Sequence, residues 1–188
     1  MNAPARPVAA IDRDTIESRF ATVIVSGVPD YGHEVVLTHR GHNGSPGVDV
    51  LTPVRLPGQD TAVLVNRGWV YSPDGMFIEL DRWRDTATTF TGYVDSFRSS
   101  PGDTLQGRRI RHASFEAIAR AIPYPIHPFY VVALTPASGD SSSSAPKIIR
   151  LPPPKLDQGP HLSYALQWFG FATIALLGGI IVAARSMR

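Results

Sequence analysis

From Leu162 to Ala184 the chain carries no charged side chain, and those 23 positions constrain its architecture more than any other feature. As a helix rising about 1.5 Å per residue they extend roughly 35 Å, enough to cross a hydrocarbon core about 30 Å thick. The expectation is a transmembrane helix over 162–184 with a short basic tail, 185–188. The run opens in an unusual way. His161, Tyr164, Trp168 and Phe171 recur at i, i+3, i+7 and i+10, roughly one helical face, with Ser163 and Gln167 beside them. Polar groups near a membrane cost insertion energy, so this opening calls for a reason. Further along, Ala175, Gly179 and Ala183 make a small-residue stripe of the kind by which one membrane helix packs closely on another.

The preceding 155 or so residues suit a single domain with a real core. Charged residues are only 18% and the formal charge is +2, which indicates neither disorder nor a nucleic-acid partner. Cysteine is absent, excluding disulfides, cysteine metal sites and thiol catalysis. The first 19 residues hold no apolar stretch long enough for a signal peptide, and Asp12, Asp14 and Glu17 argue against a transit peptide. They read as a flexible segment, and the chain, taken literally, as anchored only by its tail.

Short β-branched stretches recur about every ten residues: 20–28, 34–40, 48–56, 62–71, 88–97, 129–135 and 147–151. Turn formers such as PDYG, GHNGSPG, LPGQD and SPDG separate them. The pattern predicts a mainly β domain over 20–151, an antiparallel barrel or sandwich. One helix interrupts it, where Phe115, Ile118, Ala119 and Ile122 share a face, Ser114 stands as a cap and Pro123 as a stop. ASGDSSSSAP reads as a flexible hairpin loop, and 152–161 as a stiff proline-rich stalk.

Catalytic signatures are missing. The serines of GDSSSS lack a GxSxG elbow, and there is no GxGxxG, Walker-type loop or HExxH. His39 and His42 fall among glycines and read as loop residues rather than metal ligands. Asp81, Arg82 and Arg84 around Trp83 read as a solvent-facing edge. The protein is therefore expected not to be an enzyme. In AVLVNRGWVY, Asn66-Arg67-Gly68 reads as a bulge within a strand. If the pleat continues, Arg67 and Trp69 share a face. Arg67 then either belongs to a bulge that packs an aromatic in the core, or pairs with a partner or a propionate. At the closing helix, Tyr164 and Trp168 alone are interface anchors and His161 alone an interface histidine. Histidine, aromatics and packing stripe together admit another reading, an axial-ligand site for haem between helices.

VLVNRGWV, preceded by GVDVLTPV and followed near the C-terminus by HLSYALQWFGFA, resembles the surfeit locus protein 1 family of cytochrome c oxidase assembly factors, over roughly 20–184. The resemblance implies a domain on the outer face of the bacterial inner membrane, the mitochondrial inner membrane being the less favoured setting. It implies a role in delivering haem a to subunit I of cytochrome c oxidase, or stabilising it there, with haem a synthase as a further partner. His161 matches the suspected haem ligand of bacterial members, Tyr164 and Trp168 would line the pocket, and Arg67 is a secondary contact. The family is similar in having two membrane helices, and the first has no counterpart here: either the start lies upstream of Met1 or this member lost it. Two other readings remain, an accessory subunit or scaffold of a respiratory oxidase that never touches haem, and a tail-anchored cytoplasmic binding domain.

Overall fold

The computed structural model describes residues 5–11, 19–84, 86–98, 102–134, 148–150, 152 and 161–187, with backbone alone at 161–162. It divides into two compact units, Met1–Pro153 and Pro154–Arg188.

The first unit is a β-structure with strands β1 (Arg6–Pro7), β2 (Thr22–Ser26), β3 (Val28–Pro29), β4 (Val35–His42), β5 (Ser45–Arg55), β6 (Ala62–Tyr71), β7 (Thr89–Ser96), β8 (Arg109–Ile110) and β9 (Ile126–Ala133), with helix α1 (Phe115–Ala121) before β9. The pairing order is β1-β2-β7-β9-β6-β5-β4-β8, and β3 pairs with β5. Because β3 continues β2 around Gly27, the chain from Thr22 to Pro29 pairs with β7 at one end and with the end of β5 at the other. This closes a ring: β2/β3, β7, β9, β6, β5. Of the two expected architectures, the pairings make the barrel. Its sheet is mixed, since β6 and β9 run parallel. The crossover through β8 and α1 inserts β9 between β6 and β7.

Strict alternation fills both faces. Val23, Val25, Val54, Val63, Val65, Phe90, Val94, Phe129 and Val131 point into the ring. Burying each contributes roughly 1.5–3 kcal/mol relative to exposure. Leu64 points outward, under α1, with Leu37, Leu51, Ala113 and Ile118. Buried on both faces, β6 therefore reads as a continuous apolar run instead of alternating. Beyond the ring, Val36, Val48, Val50 and Val70 extend the inner face beneath Ile78, Leu80, Trp83 and Ile148.

Several expectations need correction. Residues 1–19 are not wholly outside the fold: β1 pairs in parallel with β2 and Val8 is buried. The GHNGSPG loop shrinks to the turn Asn43–Gly44, both with positive φ, so His39 and His42 lie in β4. The imidazole of His42 packs on Trp69, 5.3 Å between ring centroids. Ser114 holds the N-cap position, but its hydroxyl makes no cap bond and only its carbonyl accepts, from Ile118 N–H. Of the stretch 147–151, the described residues 148–150 contribute a single bridge, Ile149 to Trp69. Asp81 and Arg82 do lie exposed on the 3-10 turn Leu80–Trp83, as does Arg84 just after it. The serine loop and nearly all of the stalk lie outside the described residues.

The second unit is the helix α2 (His161–Ser186), of which Ser163–Ser186 is long and apolar enough to cross a membrane.

Candidate functional site

The sheet register shifts between Val50 and Leu51: Val50 faces Gly68 and Leu51 faces Asn66, leaving Arg67 as the extra residue of a bulge. That placement follows from the side chains. Asn66 Oδ1 accepts from the Gly68 N–H at 2.9 Å, a local loop that offers the backbone an alternative to the ladder. Gly68 has φ of 124°, and a Cβ there would lie 2.3 Å from the Ile149 carbonyl oxygen, so only glycine fits. Trp69 and Ile149 then exchange two backbone hydrogen bonds, at 2.8 and 2.9 Å. The Arg150 guanidinium donates to the Arg67 carbonyl. The bulge thus anchors the segment that lies 12 positions before His161.

The extra residue also inverts the pleat. Arg67 shares the inner face with Thr52, whereas Trp69 pairs with Asp49 and lies on the outer face. The expectation that Arg67 and Trp69 share a face is overturned, because one inserted residue swaps every side chain after it. Outside, Trp69 Nε1 donates to the Arg40 carbonyl at 3.0 Å.

Inside, Arg67 is completely buried, as is Glu34. Its Nη2 donates to Glu34 Oε1 at 2.6 Å, its Nε to Thr52 Oγ1 at 2.7 Å, and its Nη1 to the Trp83 carbonyl at 2.6 Å. Thr52 Oγ1 donates in turn to Glu34 Oε1 at 2.7 Å. The ring of Tyr31 lies 5.2 Å from the guanidinium carbon. Burial pushes the Glu34 carboxyl above its ordinary range, outweighing the opposing pull of Thr52 and Arg67. Among the described residues the guanidinium is enclosed, and these contacts are to the domain itself. Glu34, Thr52 and Trp83 were missed in the sequence. The available signal was a lone arginine inside a buried strand, which requires an acidic partner on a neighbouring strand.

The other three candidates sit on α2. His161 is its first residue, with its side chain outside the described residues. Tyr164 and Trp168 are exposed at 58% and 70%, and Trp168 meets Phe171 edge-on at 6.1 Å. A Cβ at Gly178 or Gly179 would meet nothing within 4 Å. Taken by itself, this unit has its aromatic face and its small-residue stripe exposed among the described residues. Arg67 lies in the other unit.

A family model described as the SURF1 family matches residues 1–173. The chain belongs to the SURF1 family. Members are associated with cytochrome oxidase assembly and form an assembly-factor family rather than a catalytic one, and the apolar helix α2 fits a membrane-anchored protein. No curated protein and no solved structure matches the chain.

Proposed function

We propose that this SURF1-family protein assists insertion or stabilisation of haem a in subunit I of cytochrome c oxidase, with α2 as the working surface. The observation that carries the reading is the uncovered start of α2. Aromatic side chains exposed at the head of an apolar helix are satisfied by lipid headgroups, a neighbouring helix or a planar cargo. His161 supplies the one imidazole of that helix and would be the axial ligand, while Tyr164 and Trp168 would flank the macrocycle. Haem a synthase is the natural donor of such cargo. The barrel faces the periplasm of a bacterial inner membrane in this reading.

The test is the absorption spectrum of the full chain purified in detergent from cells that make haem a. A Soret band lost in His161→Ala, with the barrel still folded, supports the assignment. A colourless wild-type protein, or a band unmoved by the substitution, refutes it. The burial of Arg67 favours a second reading, a scaffold that docks on a respiratory oxidase without touching haem, because it removes the barrel's proposed propionate contact. Stoichiometric retention on the mature oxidase would support the scaffold, and release after assembly would oppose it.

A further inference from the structure

On the outer face of the barrel, α1 covers the sheet only in part. Beside it a cavity of about 410 Å³ opens over β4–β7 and β9. Its floor is polar, which is unusual for the middle of a sheet. Asp49 is 7% exposed, and its Oδ1 has no hydrogen-bond partner. Asn66 Nδ2 reaches its other oxygen at 3.4 Å. The Arg40 guanidinium approaches Asp49 Oδ2 only to 3.7 Å, through an Nε that is itself buried and unpartnered. Arg40 Nη2 is committed elsewhere, to the Arg111 carbonyl at 3.2 Å. Across the cavity, Asp95 already accepts on both oxygens, from Arg19 at 3.1 Å and the Ser96 N–H at 2.9 Å on Oδ1 and from the Tyr130 hydroxyl at 3.0 Å on Oδ2. Among the described residues the buried unpartnered atoms of this lining are an acceptor, Asp49 Oδ1, and a donor, Arg40 Nε.

Leaving either group unsatisfied is costly, more so when it is charged, so the pair selects for a ligand that completes both. We propose that this cavity binds a primary carboxamide, the group of an asparagine or glutamine side chain, through Asp49 and Arg40. In a primary amide one N–H lies on the same side as the C=O. A single planar edge can therefore donate to Asp49 and accept from Arg40. A trans peptide group points its N–H and C=O in opposite directions and cannot serve both. A carboxylate would meet Asp49 with like charge, and a guanidinium ion would leave Arg40 without an acceptor and add a like charge beside it. Burial pushes the Asp49 carboxyl above its ordinary range in spite of Arg40, Asn66 and His42, in keeping with a carboxylate whose Oδ1 has no donor. The cavity is larger than one amide and leaves room for the chain that carries it.

The test uses the full ¹⁵N-labelled chain in detergent micelles, titrated to equal concentrations with acetamide, N-methylacetamide, acetate and guanidinium. Acetamide is expected to give saturable shifts at the Asp49, Asn66 and Tyr130 amides, and N-methylacetamide none. Asp49→Leu and Arg40→Met each remove a hydrogen bond to a charged group and should weaken acetamide binding about tenfold or more, with the rest of the spectrum unchanged. Arg40 is partly exposed, so its variant reads the site even if Asp49→Leu fails to fold. The proposal is overturned if acetamide gives no saturable shift, if N-methylacetamide, acetate or guanidinium matches it, or if a folded variant retains full binding. A positive result with acetamide leaves two sources, a free small amide or a partner's side chain. Competition by a glutamine-bearing peptide, tighter than by acetamide, identifies the partner; weaker competition identifies the small molecule.

Discussion

Replacing Arg67 by methionine isolates the interaction on which the inner face depends. The substitution keeps an unbranched side chain of similar reach but removes the cation and its donors to Glu34, Thr52 and the Trp83 carbonyl. Glu34 then sits completely buried without its paired cation, with Arg84 acting on it only through space. Breaking a buried pair from one side costs about 3–5 kcal/mol. For a unit of 153 residues, each kcal/mol lowers Tm by about 2–4 °C, so the expected loss is about 6–20 °C. Removing both charges, Arg67→Met with Glu34→Leu, eliminates the stranded carboxylate and should return most of that loss, because an apolar pair of matched volume is often neutral or stabilising. The pH dependence has a definite sign. Glu34 already titrates above its unfolded value of 4.5, and losing Arg67 raises it further. A carboxyl with a raised folded pKa costs stability increasingly as pH climbs from the unfolded value through the folded one. The deficit of Arg67→Met should therefore be larger at neutral pH than near pH 5, and the double variant should lack this dependence. Thermal melts followed by circular dichroism in detergent read all three. A single variant melting within about 2 °C of wild type, or a double variant as unstable as the sum of the singles, would refute the reasoning.

Two further outcomes are expected. Gly68→Ala forces a Cβ to 2.3 Å from the Ile149 carbonyl and an alanine to φ of 124°. It should break the Trp69–Ile149 bridge, costing about 2–4 kcal/mol in hydrogen bonds and strain, with the Ile149 amide losing protection in hydrogen exchange; unchanged protection would refute it. Asp74 Oδ1 accepts from the Ser72 hydroxyl and from the Met76 and Phe77 N–H groups, which lower its carboxyl to about 2. Stability owed to those bonds is present above its ordinary value of 3.8 and is lost as pH falls towards 2. A carbon-detected NMR titration with a midpoint near the ordinary carboxylate value would count against that assignment.

The barrel strands were legible because both their faces are decided by local pattern: β6, at Ala62–Tyr71, runs between the same residues that its apolar composition suggests. The helix α1 was legible for the same reason, through a face that meets Leu64 and Leu37. Closure of the ring was not, since it depends on Val28 and Pro29 meeting Arg55 and Val54 across the chain, two pairs with no composition signal. The two-residue strands β1 and β8 are held by tertiary pairing alone and carry no period to read. At the site, Asn66-Arg67-Gly68 announced a bulge, but the face of each following residue depends on where the extra residue falls. One position decides whether Trp69 points in or out. The partners of Arg67 come from β5, from the segment before β4 and from a 3-10 turn, distances along the chain that no local window spans.

The fate of Arg67 changes what the motif VLVNRGWV means. Each of its polar letters and its glycine serves the fold. Asn66 closes the bulge, Arg67 pairs with Glu34 inside the barrel, and Gly68 lets Ile149 approach. The motif therefore acts through what it holds in place, the 148–150 segment on the chain's way to the membrane helix. Outward-facing chemistry does not come from Arg67, and the described residues offer two surfaces of that kind. One is the aromatic opening of α2, where Trp168 is 70% exposed. The other is the polar cavity, where Asn66 turns its amide towards Asp49 on the outer face while its neighbour Arg67 is sealed within. The bulge is what allows consecutive residues to serve opposite faces, one building the core and the other building a site. A substitution at Arg67 should consequently damage stability first and binding at the cavity only through loss of the fold, whereas Asp49→Leu should do the reverse.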